Sequence, residues 1–163
     1  MRKAHTIPTC GGAVYSIAEE SFSDAQPGIE SLARMHWDEI ETTSFPFDID
    51  WALLQTLADA GALITVTVRD DQDVFVGYAL YSISPMTHSA GVRVAISDSL
   101  YLRPDHRKGA LGIRFLRESE RILRDAGVDM IVQNVRTSSM KLAGVLERLN
   151  YDRDGFTYIK EVA

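Results

Sequence analysis

Residues 92–112, VRVAISDSLYLRPDHRKGALG, restrict the fold of this chain more than any other stretch. A run of β-branched and apolar residues ends at Leu102, Pro104 marks a turn, and a glycine-bearing segment from Gly109 to Gly112 opens a helix. The helix is long and one-sided. Leu111, Gly112, Phe115, Leu116, Ser119, Ile122, Leu123 and Ala126 make one apolar or small stripe at helical spacing, and Gly127 suits a left-handed residue just past its end. A strand that turns directly into such a helix needs a sheet for the stripe to cover, so every other segment is placed by what it packs on, or presents to, this junction. At the helix start, RKGALG offers free backbone N–H groups, the positive end of the helix dipole and the cations Arg107 and Lys108. That is an anion site, and phosphate is the obvious anion.

The 163 residues are most simply a single domain over 1–163, long enough for a real core. A net charge of −6 argues against a general binder of nucleic acid or anionic membrane, although Arg103, His106, Arg107 and Lys108 form a local basic patch. Cys10 is the only cysteine, so an intramolecular disulfide and a cysteine-based zinc site are both excluded. The acidic run 70–73 lacks EF-hand spacing and reads as a solvated turn, and no metal is expected. The start, MRKAHTIPTCGG, has no apolar run behind its basic residues, and no stretch approaches the ~20 apolar residues of a membrane span. A cytoplasmic location is expected.

In chain order, residues 1–13 read as an irregular lead-in with Pro8, Gly11 and Gly12 as breakers, and residues 13–18 as a short strand. After a turn or helix start at Ser23-Asp24 and Pro27-Gly28, a helical stripe runs through Ile29, Leu32, Ala33, His36, Trp37 and Ile40. Residues 42–47 are a loop. Asp48 or Asp50 then caps a second helix over 50–60, with Leu54, Leu57 and Ala58 inward and Gly61 ending it. Residues 63–69 and 74–84 form a hairpin, and 86–91 lead into the strand 92–102. A fifth strand covers 130–135. Ser138 or Ser139 caps a helix to about Leu149, Asn150 takes the left-handed position after it, and 156–162 closes the chain as a strand.

Several polar residues stand where chemistry is possible. If its register is unbroken, the strand 92–102 puts Asp98 on one face with Val92, Val94, Ile96, Leu100 and Leu102, and Tyr101 on the other. A carboxylate there is paired, protonated or at a cleft, because burying it alone is costly. The alternative is a bulge that turns Asp98 out, or a structural hydrogen bond to loop backbone. His36 on the helical stripe is either a core histidine bonded to backbone or a ring edge reaching a substrate pocket, with Glu39 one turn on. His88 is either a surface loop residue or a catalytic group.

Residues 107–112 after SDSLYLRP resemble the acyl-CoA-binding motif Q/R-x-x-G-x-G/A of the GNAT superfamily of N-acetyltransferases. Arg107 matches the first position and Gly112 the last. Ala110 replaces the middle glycine, with Gly109 one residue earlier. Residues 145–151, VLERLNY, are similar to the family's L-Y-E-K-L-G-F segment, and HWDE at 36–39, DIDW and the later GY resemble, more loosely, a branch often carried by tailed phages. The resemblance implies an α/β (α+β) fold with a central mixed, mostly antiparallel sheet of about six to seven strands. It also implies helices on both faces and a splay between the fourth and fifth strands.

It further implies acetyl-CoA as co-substrate, a primary amine of a small molecule or protein as acceptor, and, for a phage-carried member, the host cytoplasm. Residues Arg107, Lys108, Gly109, Ala110, Leu111 and Gly112 would grip the CoA pyrophosphate. Ser139 stands where that part of the motif often has Asn, and backbone N–H groups around Leu100, Tyr101 and Leu102 would polarise the thioester. The helices and loop that include His36 and Glu39 would wall the acceptor site, with 42–47 helping to choose the substrate.

An amine of pKa about 10.4 costs about 4–5 kcal/mol to hold neutral at pH 7. A base must take its proton, and Asp98, then His88, then Glu39 are the candidates. For the thiolate's acid, the family's usual tyrosine position holds Leu146. Tyr151 and Tyr158 lie nearby in sequence, Tyr151 at a position the family fills with a core Phe. A second function class is a GNAT-fold binding or regulatory protein that keeps CoA affinity without turnover, and whether Asp98 faces the cleft separates the two. A homodimer stays open.

Overall fold

The computed structural model describes residues 5–8, 14–40, 43–136, 139–155 and 157–162. Expectations resting on Cys10, Gly11, Gly12, Ala13, Thr42, Ser138 and Phe156 lie outside these. One sheet runs in the order β1 (His5–Pro8), β2 (Val14–Glu20), β3 (Leu63–Arg69), β4 (Phe75–Pro85), β5 (Arg93–Leu102) and β6 (Met130–Val132). Neighbours are antiparallel except the parallel pair β5–β6. Two strand expectations are corrected. Residues 5–8, read as irregular, pair with β2 in register His5↔Ile17 to Pro8↔Val14. At the other end, residues 157–162 form no strand and are exposed. Their alternation finds no ladder, and Glu161 instead accepts hydrogen bonds from Ser44 N (2.8 Å) and Ser44 Oγ (2.5 Å).

Helix α1 (Phe22–Ile40) starts seven residues earlier than its stripe from Ile29 predicted, and it runs through Pro27. Ser21 Oγ accepts from Asp24 N at the start (3.2 Å), and buried Phe22 and Ala25 extend the stripe. Gly28 lets this helix lie directly on β4, since a Cβ there would come within 2.3 Å of the Phe75 ring. In α2 (Trp51–Asp59), Asp50 is the cap and accepts from Leu53 N at 2.9 Å. Asp50→Ala is expected to lower unfolding stability by about 1 kcal/mol in urea titration.

α1 and α2 cover one face of the sheet around Leu63, Phe75, Tyr78, Leu80 and Tyr101. α3 (Leu111–Asp125) covers the other through Leu111, Phe115, Ile122 and Leu123 against Val66, Val68 and Tyr81. Phe115 and Leu123 are 2% and 0% exposed, and burial at that level contributes ~2 kcal/mol per side chain. α4 (Met140–Arg148) follows β6, with Ser139 at its N-cap position but making no side-chain cap bond. Gly61, Gly127 and Asn150 take φ of 68°, 79° and 66°, the left-handed residues their helix ends require.

β6 stops at Val132 rather than continuing to 135. Its register with β5 covers only Val94↔Met130 to Ile96↔Val132. Beyond that point Gln133 Nε2 donates to Tyr81 Oη (3.1 Å), and Asn134 donates from N and Nδ2 to Ser97 Oγ and O (2.9 and 3.0 Å). From Asp98 to Leu102, β5 therefore has no described strand on its β6 side.

Candidate active site at the broken edge of β5

The register of β4 with β5 jumps from Leu80↔Ser99 to Tyr81↔Ser97. Asp98 is the extra residue: a β-bulge. Of the two readings of this strand, the unbroken register does not hold and the bulge that turns Asp98 out does. Ala95 and, past the bulge, Leu100 and Leu102 pack toward α3, while Tyr101 packs toward α1. Asp98 itself is exposed and accepts from Ser99 Oγ at 3.0 Å. Its charge raises the pKa of both His36 and Tyr78.

Past the turn Pro104–His106, the junction offers bare amides. Among the described residues, the N–H groups of residues 108–113 meet no backbone carbonyl outside the helix's own ladder. Gly109 has φ of 67°, where a side chain would be strained, and Ala110 serves as N-cap without a side-chain bond. A Cβ on Gly112 would meet nothing within 4 Å, so the helix start faces open space. Lys108 is exposed beside it and Leu111 is buried beneath. Amides, open space and a left-handed glycine are what a phosphate needs at a helix N-terminus.

On the α1 face a chain of rings and charges joins the two halves of the molecule. His36 Nδ1 and Tyr78 Oη share a hydrogen bond of 2.8 Å, and the His36 ring stacks on Tyr101 at 4.7 Å. The Arg107 guanidinium lies over the other ring of this stack, 5.2 Å from the Tyr101 centroid. Its Nε donates to Leu102 O (2.6 Å), and its two Nη atoms donate to the two oxygens of Glu39 (2.5 and 2.7 Å). Burial is the main reason the His36 pKa falls from 6.5 to about 4, with the Arg107 charge adding to it and Glu39 and Asp98 opposing. The Arg107 hydrogen bonds hold the Glu39 carboxyl below its ordinary value. Burial first, then the charges of Tyr101 and Asp98, push the Tyr78 phenol up.

Of the residues named from sequence, Asp98, His36, Glu39, Tyr101, Leu102 and Arg107 converge here. His36 is 7% exposed, and its partner is a side chain, Tyr78, rather than backbone. Arg107 is spoken for by Glu39. His88 does not join: it sits exposed in the turn before β5. The five steps along the strand from Arg93 to Asp98 put ~16 Å between that turn and the bulge. Tyr158 is 91% exposed, in the segment 157–162 that forms no strand. Ser139 is half-buried at the start of α4, and Leu146 is buried at 5%. Tyr78 was not assigned a role from sequence, although it stands in the GY pair. Only the register Tyr78↔Tyr101 shows that it faces α1. A cavity of about 620 Å³ lies apart from these residues, between β2, α1, α2 and β3, lined by Glu20, Asp24, Gln55, Asp59 and Thr65 among others. Among the described residues no group of His, Cys, Asp and Glu could hold a metal ion, and no helix is long and apolar enough to cross a membrane.

Comparison with known proteins addresses the same region. No curated protein matches the chain. A ribosomal-protein-alanine N-acetyltransferase from Brucella melitensis biovar Abortus 2308 superposes with a TM-score of 0.67 at 17% identity, over 90% of this chain and 99% of that one. An aminoglycoside acetyltransferase, meta-AAC0020, from an uncultured soil metagenomic sample gives 0.74 at 11% identity, over 91% and 97%. Aminoglycoside N-acetyltransferase AAC(6')-Iy in complex with CoA gives 0.72 at 14%, over 95% and 99%. These likenesses establish a shared fold. The profile of the acetyltransferase (GNAT) family matches residues 19–151, from the end of β2 to just past α4, and this chain belongs to that family.

Proposed function

We propose that the protein transfers an acetyl group from acetyl-CoA to a primary amine of a small molecule or protein. The observation that carries this reading is the bare helix start at residues 108–113, which follows the stretch of β5 that no described strand pairs with on its β6 side. Family membership supports the cofactor, and a fold neighbour is complexed with CoA. In this reading the amides of 108–112 hold the pyrophosphate and Lys108 adds charge. HWDE and GY, two of the segments that carry the looser resemblance to phage-borne members, meet in the His36–Tyr78 bond.

Acetyl-CoA would supply the acetyl group as a thioester. The chain's own part begins with the β5 backbone between Leu100 and Leu102, whose free side polarises the carbonyl oxygen. Asp98 stands at the bulge, exposed to water, and it takes the amine proton through water. The nitrogen lone pair forms the C–N bond as the C–S bond breaks. The attacking nitrogen gives up its second proton to water, and the leaving thiolate, of pKa near 8.5, takes one from water, so Leu146 in place of a tyrosine is no obstacle.

Purified protein with acetyl-CoA and a panel of primary amines is expected to release free thiol, and CoA is expected to raise the melting temperature. Absence of both would sink the reading. Gly112→Val is expected to weaken CoA binding about tenfold in calorimetry, because the new methyl groups fill the space over the amides; it leaves the melting temperature within a few degrees, since a Cβ there would meet no heavy atom within 4 Å.

A further inference from the structure

The fork of Arg107 that would grip a phosphate already holds a carboxylate. Three of its N–H donors are taken, one by Leu102 O and two by Glu39, and its face rests on Tyr101. A phosphate cannot take the same two Nη donors side by side unless Glu39 lets go. Glu39 lies in the last turn of α1, and Arg107 lies 68 residues on, in the loop that leads to α3. Both side chains are partly in water, at 38% and 40% exposure, so the pair can open without stranding a buried charge.

We infer that Glu39 is an internal competitor for the cofactor's phosphate at Arg107. Cofactor binding opens the Glu39–Arg107 pair and leaves the Glu39 carboxylate free beside the acceptor wall, one turn from His36. The inference rests on reading residues 108–113 as the phosphate cradle. Its consequence is linkage: whatever affinity the cofactor gives up to break the pair, the freed carboxylate can return to a cationic acceptor.

The test is a set of CoA titrations by calorimetry on the whole chain. Glu39→Gln is expected to bind CoA roughly two- to fivefold tighter than wild type, the size of a half-exposed bidentate pair. Arg107→Gln is expected to bind more weakly than wild type, and the double variant to match Arg107→Gln, because the competitor has nothing left to compete for. Asp38→Asn removes a neighbouring charge of α1 that is paired with Arg34 at 2.9 Å, and it is expected to match wild type. Equal or weaker binding by Glu39→Gln, with wild type binding CoA, overturns the competitor role. So does an equal gain in Asp38→Asn, or a gain that persists without Arg107, since either would be a general charge effect. No CoA binding in any of the variants or in wild type would instead overturn the phosphate-cradle reading beneath it.

Discussion

Asp98→Asn is expected to lower turnover by ~10²–10⁴-fold while leaving CoA affinity and melting temperature near wild type. The size follows from what the residue is asked to do. Holding a lysine-like amine neutral at pH 7 costs about 4–5 kcal/mol, and a positioned carboxylate that accepts the proton recovers much of it. Asn has the same shape and can still accept from Ser99 Oγ, as Asp98 does at 3.0 Å, so the bulge keeps its local bond. The side chain is exposed, so its loss leaves no buried hole. Turnover at the wild-type rate in Asp98→Asn, with a large loss in Glu39→Gln assayed alongside, would move the base to Glu39.

The second large effect is on stability against pH. The folded His36 has a pKa of about 4 against 6.5, chiefly from burial. As pH falls below 6.5, the unfolded chain takes up a proton that the folded chain refuses. The stability this residue contributes is therefore complete above about pH 6.5 and is lost as pH falls toward 4. The loss comes to about 2 kcal/mol between pH 7 and pH 5, and to ~3 kcal/mol by pH 4. Urea unfolding at a series of pH values measures the slope. His36→Gln is expected to be less stable at pH 7, since it loses the ring stack on Tyr101, yet to lose less on going to pH 5. An identical slope in the variant would place the titration elsewhere than at His36.

The parts of the molecule written in local spacing could be read from the sequence. The stripe of α3, the Asp50 cap and the left-handed Gly61, Gly127 and Asn150 each depend on residues a few positions apart. Asp98 shows where that reading stops. Its place on a strand face follows from counting by two, and the count fails because β4 pairs with β5 on either side of it with one residue to spare. The segment 156–162 fails in the opposite way: its alternation is good, but alternation needs an edge to pair with, and residues 157–162 have none. The candidate site was legible as a roll of residues rather than as a set of bonds. His36 and Tyr78 are 42 residues apart and Glu39 and Arg107 are 68 apart, so no periodicity in the chain announces either pair.

The bulge at Asp98 also makes β5 a strand whose length has a parity. Upstream, odd-numbered positions such as Ala95 look toward α3; downstream, even-numbered ones such as Leu100 and Leu102 do. Removing one residue at position 98 would restore a regular ladder, and it would not merely delete a carboxylate. Either Tyr101 would turn from the α1 side toward α3, or every residue upstream of the cut would change sides. An insertion of two residues in the neighbouring turn would be absorbed as added loop, whereas a single deletion in the strand would exchange the surfaces that the two helical layers meet. The catalytic candidate and the phase of the strand are thus one character, inherited or lost together.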